Sequence, residues 1–162
     1  MYRYLFEESK KVIEPYAIEL FKKNPFFDEE TDRVQLQEKD EGFDFVFYDE
    51  EYPLGANVDV KAMSPRIKHL ETAFIEIEDC YGKKPLEKCK SDYYMILRDY
   101  DPRRVTCYEW FLVPVVALKY IIEENNYEYV ATRNSDNGKP CYGYRVPYKD
   151  IREISEIYSE VK

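Results

Sequence analysis

Residues 58–62 read Val-Asp-Val-Lys-Ala, apolar and charged side chains alternating with a period of two. That period belongs to a β-strand, whose successive side chains leave opposite faces. Val58, Val60 and Ala62 share one face, and Asp59 and Lys61 share the other. The constraint is severe, because a buried charge is costly unless it is paired, hydrogen-bonded or bound to a metal. Any fold that houses this strand has to leave its charged face in water or compensate the charges there.

The neighbouring segments repeat the pattern. Gly42-Phe43-Asp44-Phe45-Val46-Phe47-Tyr48 carries Phe at every odd position, so it reads as a strand with a buried Phe face and Asp44 turned the other way. Phe74-Ile75-Glu76-Ile77-Glu78 reads as a third strand, with Glu76 and Glu78 on one face. If the strands bearing Asp44 and Asp59 are neighbours and both acids leave the same face, their oxygens converge. Oxygen donors of this kind suit Mg²⁺ or Mn²⁺, and Mg²⁺ binds through one or two carboxylates while keeping waters and taking up phosphate. Lys61 shares that face, where an ammonium can position or deprotonate an attacking water or stabilise the charge of a phosphorane.

Around this centre the chain reads as an α/β domain. Apolar residues from 4 to 23 form a helical stripe interrupted by Pro15, which predicts one kinked or two short helices, and an acidic loop follows Asn24-Pro25. Residues 83–90 are a basic loop with a helical turn. Residues 93–97 and 105–112 read as strands, and Pro114 opens a helix reaching Asn125. Residues 127–131 and 142–146 read as late strands around a turn at 134–138, and 148–161 as a closing amphipathic helix. This order predicts a central mixed β-sheet flanked by helices. A length of 162 residues fits a single domain, 1–162.

Composition narrows the chemistry. With 44% hydrophobic and 35% charged residues, the chain lies outside the regime of disorder. Its longest apolar run, residues 110–118, is under half the roughly 20 residues that span a bilayer. The first residues turn acidic before an apolar core of a secretory signal forms, so a cytoplasmic, intracellular location is expected. Cys80, Cys89, Cys107 and Cys141 lack metal-site spacing and read as reduced thiols. A lone His69 removes most histidine chemistry and reads as a loop residue. The net charge of −9 is concentrated in residues 28–51, and the rest of the chain has equal numbers of acids and bases. Such a chain does not coat nucleic acid by charge alone, but a carboxylate cluster loaded with divalent cations supplies positive charge of its own. Lys83, Lys84, Lys88 and Lys90, with Arg103 and Arg104, are candidate phosphate contacts, and some of the seventeen tyrosines are candidates to stack on unpaired bases.

The segments Gly42-Phe43-Asp44-Phe45-Val46 and Val58-Asp59-Val60-Lys61-Ala62 resemble the PD-(D/E)XK nuclease superfamily, the restriction-endonuclease-like fold. The resemblance runs from about Gln37 to Leu97. Phe74-Ile75-Glu76-Ile77-Glu78 and Lys90-Ser91-Asp92-Tyr93-Tyr94 are similar to the next strands of phage-type or resolvase-type members, and Gly143-Tyr144-Arg145-Val146-Pro147 is more weakly similar. Phe43 stands where the family usually has proline, the second acid is Asp where Glu is commoner, and Ala73 replaces a residue that is often polar. The resemblance implies a restriction-endonuclease-like α/β fold and a Mg²⁺- or Mn²⁺-dependent nuclease acting on DNA, encoded by a cell, a virus or a mobile element. It implies that Asp44, Asp59, Lys61 and Glu76 are catalytic. Asp44, Asp59, the Val60 carbonyl and an N-terminal glutamate would hold the metal, with Glu14 at about the right distance and Glu8 and Glu19 competing. DNA is the implied partner, and a homodimer is one arrangement. A second registration remains open, with Asp59 as first acid and Glu76-Ile77-Glu78 as the second motif. So does a function of another class, a non-catalytic acidic protein that binds DNA or imitates it.

Overall fold

The computed structural model describes residues 9–37, 42–64, 71–133 and 138–161. Glu8, His69, the beginning of the first expected helix and most of the 134–138 turn lie outside them. Ser9–Ile13 forms a π-helical turn that runs into α1, Glu14–Lys22. Pro15 falls in the first turn of α1, where its missing N–H breaks no bond, so the interruption is a junction between two short helical pieces. Then come β1 (Arg33–Leu36), β2 (Phe45–Tyr48), β3 (Ala56–Ala62), β4 (Thr72–Glu78), β5 (Tyr93–Arg98) and β6 (Glu109–Pro114). The chain continues through α2 (Val115–Glu124), β7 (Glu128–Arg133), β8 (Pro140–Pro147), α3 (Tyr148–Ile154) and β9 (Ile157–Glu160).

Six strands form a mixed sheet in the order β1-β2-β3-β5-β6-β9, in which β3 and β5 run parallel and the other neighbours antiparallel. Residues 74–78 do not join it. As part of β4 they pair with β8, which pairs with β7, in a second, antiparallel sheet. The architecture is α/β with a mixed sheet, a second sheet and a few helices.

Both faces of the large sheet are buried at its middle. On one, Ala17, Leu20 and Phe21 of α1 cover Phe45, Val58, Met95 and Leu112. On the other, Tyr94, Ile96, Phe111 and Val113 meet Leu118 of α2, Ile151 of α3, and Ala73, Ile75 and Val146 of the second sheet. Burial on both sides explains why β5 is apolar without alternation. The second sheet is close-packed where β4 crosses β8. A Cβ on Gly143 would collide with the Ile75 carbonyl and come within 2.8 Å of the Phe74 ring, so only glycine fits there.

Three readings of the sequence are corrected. The acidic stretch is not all loop, because Arg33–Leu36 pairs with β2, with the Arg33 guanidinium 4.2 Å above the Tyr48 ring and Val34 packed on the core. Residues 148–161 are not one helix. Ser155 turns extended (φ −73°, ψ 138°) and its hydroxyl donates to the Ile151 carbonyl, after which β9 covers the edge of β6. Residues 105–108 are not strand. Val105 takes a left-handed φ of 50° in a turn closed by the Asp101–Thr106 bridge, and β6 begins only at Glu109.

Candidate active site

The register of β2 on β3 brings the two aspartates together. Phe45 lies opposite Val58, and the Asp44 N–H donates to the Val58 carbonyl at 2.8 Å. Asp44 itself lies in a bend just before β2, outside the strand that the Phe alternation predicts from residue 42, and its carboxylate comes within hydrogen-bonding reach of the Asp59 carboxyl. Val58 is fully buried under α1, so by alternation Asp59 leaves the other face. Asp44 precedes the first residue of β2, and its carboxylate Oδ2 accepts the Val60 N–H at 2.7 Å in place of a strand partner. Val60 thus touches the site through its N–H.

Lys61, two residues past Asp59, lies on the same face. Its Nζ is 3.3 Å from Asp59 Oδ2 and 5.2 Å from the centre of the Tyr94 ring, which β5 sets beside Asp59. Glu76 comes from the other sheet, and its charge acts mainly on Lys61 and Asp79. A hollow of about 270 Å³ is lined by Val60, Lys61, Glu76 and Tyr94, among others. The lysine therefore lies under the influence of two carboxylates supplied by different sheets.

Of the two candidate N-terminal glutamates within the described residues, Glu14 and Glu19, the structure brings Glu14 towards the pair. It occupies the first turn of α1, is 2% exposed, and its negative charge raises Asp44. Glu19 is exposed and pairs with Lys23 at 3.0 Å. Glu78 parts from Glu76 at a β-bulge, which corrects the shared face. Glu76 lies opposite Gly143 and Glu78 opposite Tyr142, adjacent residues whose side chains leave opposite faces.

The electrostatics are those of crowded carboxylates. Burial pushes Asp59 up from 3.8 to about 7, with Asp44 adding to the rise and Lys61 opposing it. Asp44 is also raised by burial, although the hydrogen bonds from Asp59 and the Val60 N–H pull it back. Glu76 is raised by burial against the pull of Lys61. Two carboxyls this close disfavour each other's ionisation, and burial puts the larger rise on Asp59. This hard-oxygen donor set fits a divalent cation such as Mg²⁺, which needs one or two protein carboxylates. No group of three or more His, Cys, Asp or Glu side chains placed to hold a metal occurs among the described residues, so Glu14 and Glu76 flank the pair without completing a cage. The four cysteines are free.

Two contacts of the site depend on the fold. Tyr94, named in the sequence only within the Lys90–Tyr94 resemblance, sets its ring 5.2 Å from the Lys61 ammonium. Asp59 also borders a cleft of about 1050 Å³ whose other lining residues include Lys83, Lys84, Lys88 and Lys90. The charge of these lysines is legible in the sequence, whereas their convergence on Asp59 depends on how the chain returns from β4 to β5. No helix among the described residues is long and apolar enough to cross a membrane. Comparison of the chain with protein-family models, curated proteins and solved structures found no match.

Proposed function

We propose that the chain is a metal-dependent nuclease of the PD-(D/E)XK type, with a restriction-endonuclease-like fold, that hydrolyses phosphodiester bonds in DNA. The observation that carries this reading is the hydrogen-bonding contact of the Asp44 and Asp59 carboxyls where β2 meets β3, with Lys61 3.3 Å from Asp59 on the same face. Asp44 and Asp59 would hold Mg²⁺ or Mn²⁺, which supplies an activated water and neutralises phosphate charge when bound. The Val60 N–H keeps the Asp44 carboxylate turned to the site. Lys61, held between Asp59 and the charge of Glu76, is placed to donate to the non-bridging oxygens as negative charge grows on the phosphorus centre. Tyr94 limits the directions the ammonium can take.

Incubation of the purified protein with linear, circular and branched DNA, in Mg²⁺, Mn²⁺ or EDTA, tests the reading. Cleavage in either metal and none in EDTA supports it. Binding without cleavage in any metal favours the non-catalytic alternative, an acidic protein that binds or imitates DNA.

A further inference from the structure

We propose that a cavity on the α1 face of the large sheet binds a small aliphatic amine in its ammonium form. The proposal is independent of the nuclease reading. The cavity, of about 250 Å³, lies where α1 ends, beside the turn from β2 to β3 and the start of β9. Phe47 in its lining packs with the α1 core, whereas Asp59 leaves the opposite face of the sheet. The cavity shares no lining residue with the hollow at Lys61 or with the lysine cleft.

Its lining rings lie in more than one plane. Phe21 and Phe47, each 4% exposed, are 4.9 Å apart at 34°. Phe27 stands edge-on to Phe21 (5.9 Å, 70°), and Tyr52 stands edge-on to Phe47 (5.7 Å, 87°). Phe26, 77% exposed, also lines the cavity, in a turn that buried Asn24 fixes by accepting the Phe26 N–H on its Oδ1 at 2.8 Å. Rings that border one space from different planes attract an organic cation by their π faces and cover its alkyl body.

The charged lining has one sign. Asp32, Asp49, Glu51 and Glu156 border the cavity and no lysine, arginine or histidine does; Arg33, the base over the Tyr48 ring, stands outside the lining. None of the four acids makes an ion pair among the described residues. Two of them are held in place. Asp49 Oδ1 accepts the Tyr52 N–H at 2.7 Å, and Glu156 Oε2 accepts the Tyr93 hydroxyl at 2.8 Å, which itself lies 2.6 Å from the Tyr52 hydroxyl. A hard divalent ion gains little among phenyl rings, which cannot replace the waters it gives up reluctantly. A neutral apolar molecule leaves the carboxylates unmatched. An ammonium on a short alkyl chain matches both the rings and the acids.

The test is an NMR titration of the isotope-labelled full chain, at constant ionic strength and neutral pH, with cadaverine, with the matching neutral diol, or with MgCl₂. Cadaverine is expected to shift the amides of residues 49–52 and 156–157 saturably at millimolar concentration, and the diol and Mg²⁺ to leave them in place. Glu156→Gln keeps an acceptor for Tyr93 but loses the charge, and is expected to weaken the amine about 10-fold. Phe26→Leu keeps apolar bulk but loses the ring, and is expected to weaken it about 2- to 30-fold. Both side chains are exposed, so neither change opens the core. No shift at these amides with cadaverine, equal shifts with the diol or Mg²⁺, or full affinity in either variant overturns the proposal.

Discussion

Asp59 carries the largest electrostatic burden of the site, and its proton makes the protein's stability depend on pH. Its carboxyl is raised to about 7 in the folded chain, so between 3.8 and 7 the folded state holds a proton that the unfolded state has released. Stability without metal then falls as pH rises through that window and is lowest above it. At about 1.4 kcal/mol per unit, the loss is on the order of 1–3 kcal/mol between pH 5 and pH 8. Asp59→Asn is expected to flatten this dependence and to raise the melting temperature at pH 8 in EDTA. A lower melting temperature for this variant at pH 8 would instead mark Asp59 as a structural ion-pair partner of Lys61. Asp44 makes a complementary prediction, since a carboxamide keeps an acceptor for the Val60 N–H but loses the charge a cation needs. Titration calorimetry with Mn²⁺ is expected to show binding by the wild type and a loss of about tenfold or more for Asp44→Asn, and equal binding would remove Asp44 from the metal site.

At the scale of elements, the strand pairings hold the site together, and two packing points test them. Gly143→Ala drives a methyl into the Ile75 carbonyl and the Phe74 ring, so β4 has to shift with Glu76 on it. A cost of about 1–3 kcal/mol is expected in thermal or urea denaturation, and a stability equal to the wild type would contradict the close approach. At the opposite edge, buried Glu109 accepts Arg98 at 3.2 Å and Arg152 at 2.9 Å, fastening α3 to the β5–β6 pair. Glu109→Ala leaves two guanidinium groups without their acceptor and is expected to cost about 3–5 kcal/mol. How much of this was legible followed from which signals are local. The alternation in 45–48, 58–62 and 74–78 reports its own strands, whereas the bend that holds Asp44 outside β2 depends on its bonds to Gln37 and Val58 and leaves the Phe pattern of 42–44 unused. β9 was hidden because Ile154, Ile157, Tyr158 and Val161 also fit a helical spacing, and only the uncovered edge of β6 decides for a strand. The bulge that parts Glu76 from Glu78 arises from pairing with β8, about seventy residues away, and leaves no local mark.

Across the whole molecule, Lys61 of the large sheet and Glu76 of the second sheet line one hollow, Glu14 of α1 acts on Asp44 at its margin, and the lysine cleft borders Asp59. That convergence turns scattered charges into a site, and it ranks the residues. Lys61 would supply charge needed as the phosphorus centre gains negative charge, while its ammonium repels a bound cation. Under the alternative registration Glu78 would matter and Lys61 would be peripheral. The most direct test is single-turnover cleavage of one DNA substrate in Mn²⁺ by the wild type, Lys61→Ala and Glu78→Ala, with Mn²⁺ affinity measured alongside. The wild type is expected to cut, Lys61→Ala to cut about 10²- to 10³-fold more slowly with its metal affinity kept, and Glu78→Ala to stay near the wild-type rate. A wild-type protein that cuts no DNA, or a Lys61→Ala variant that cuts at full rate, would contradict the account.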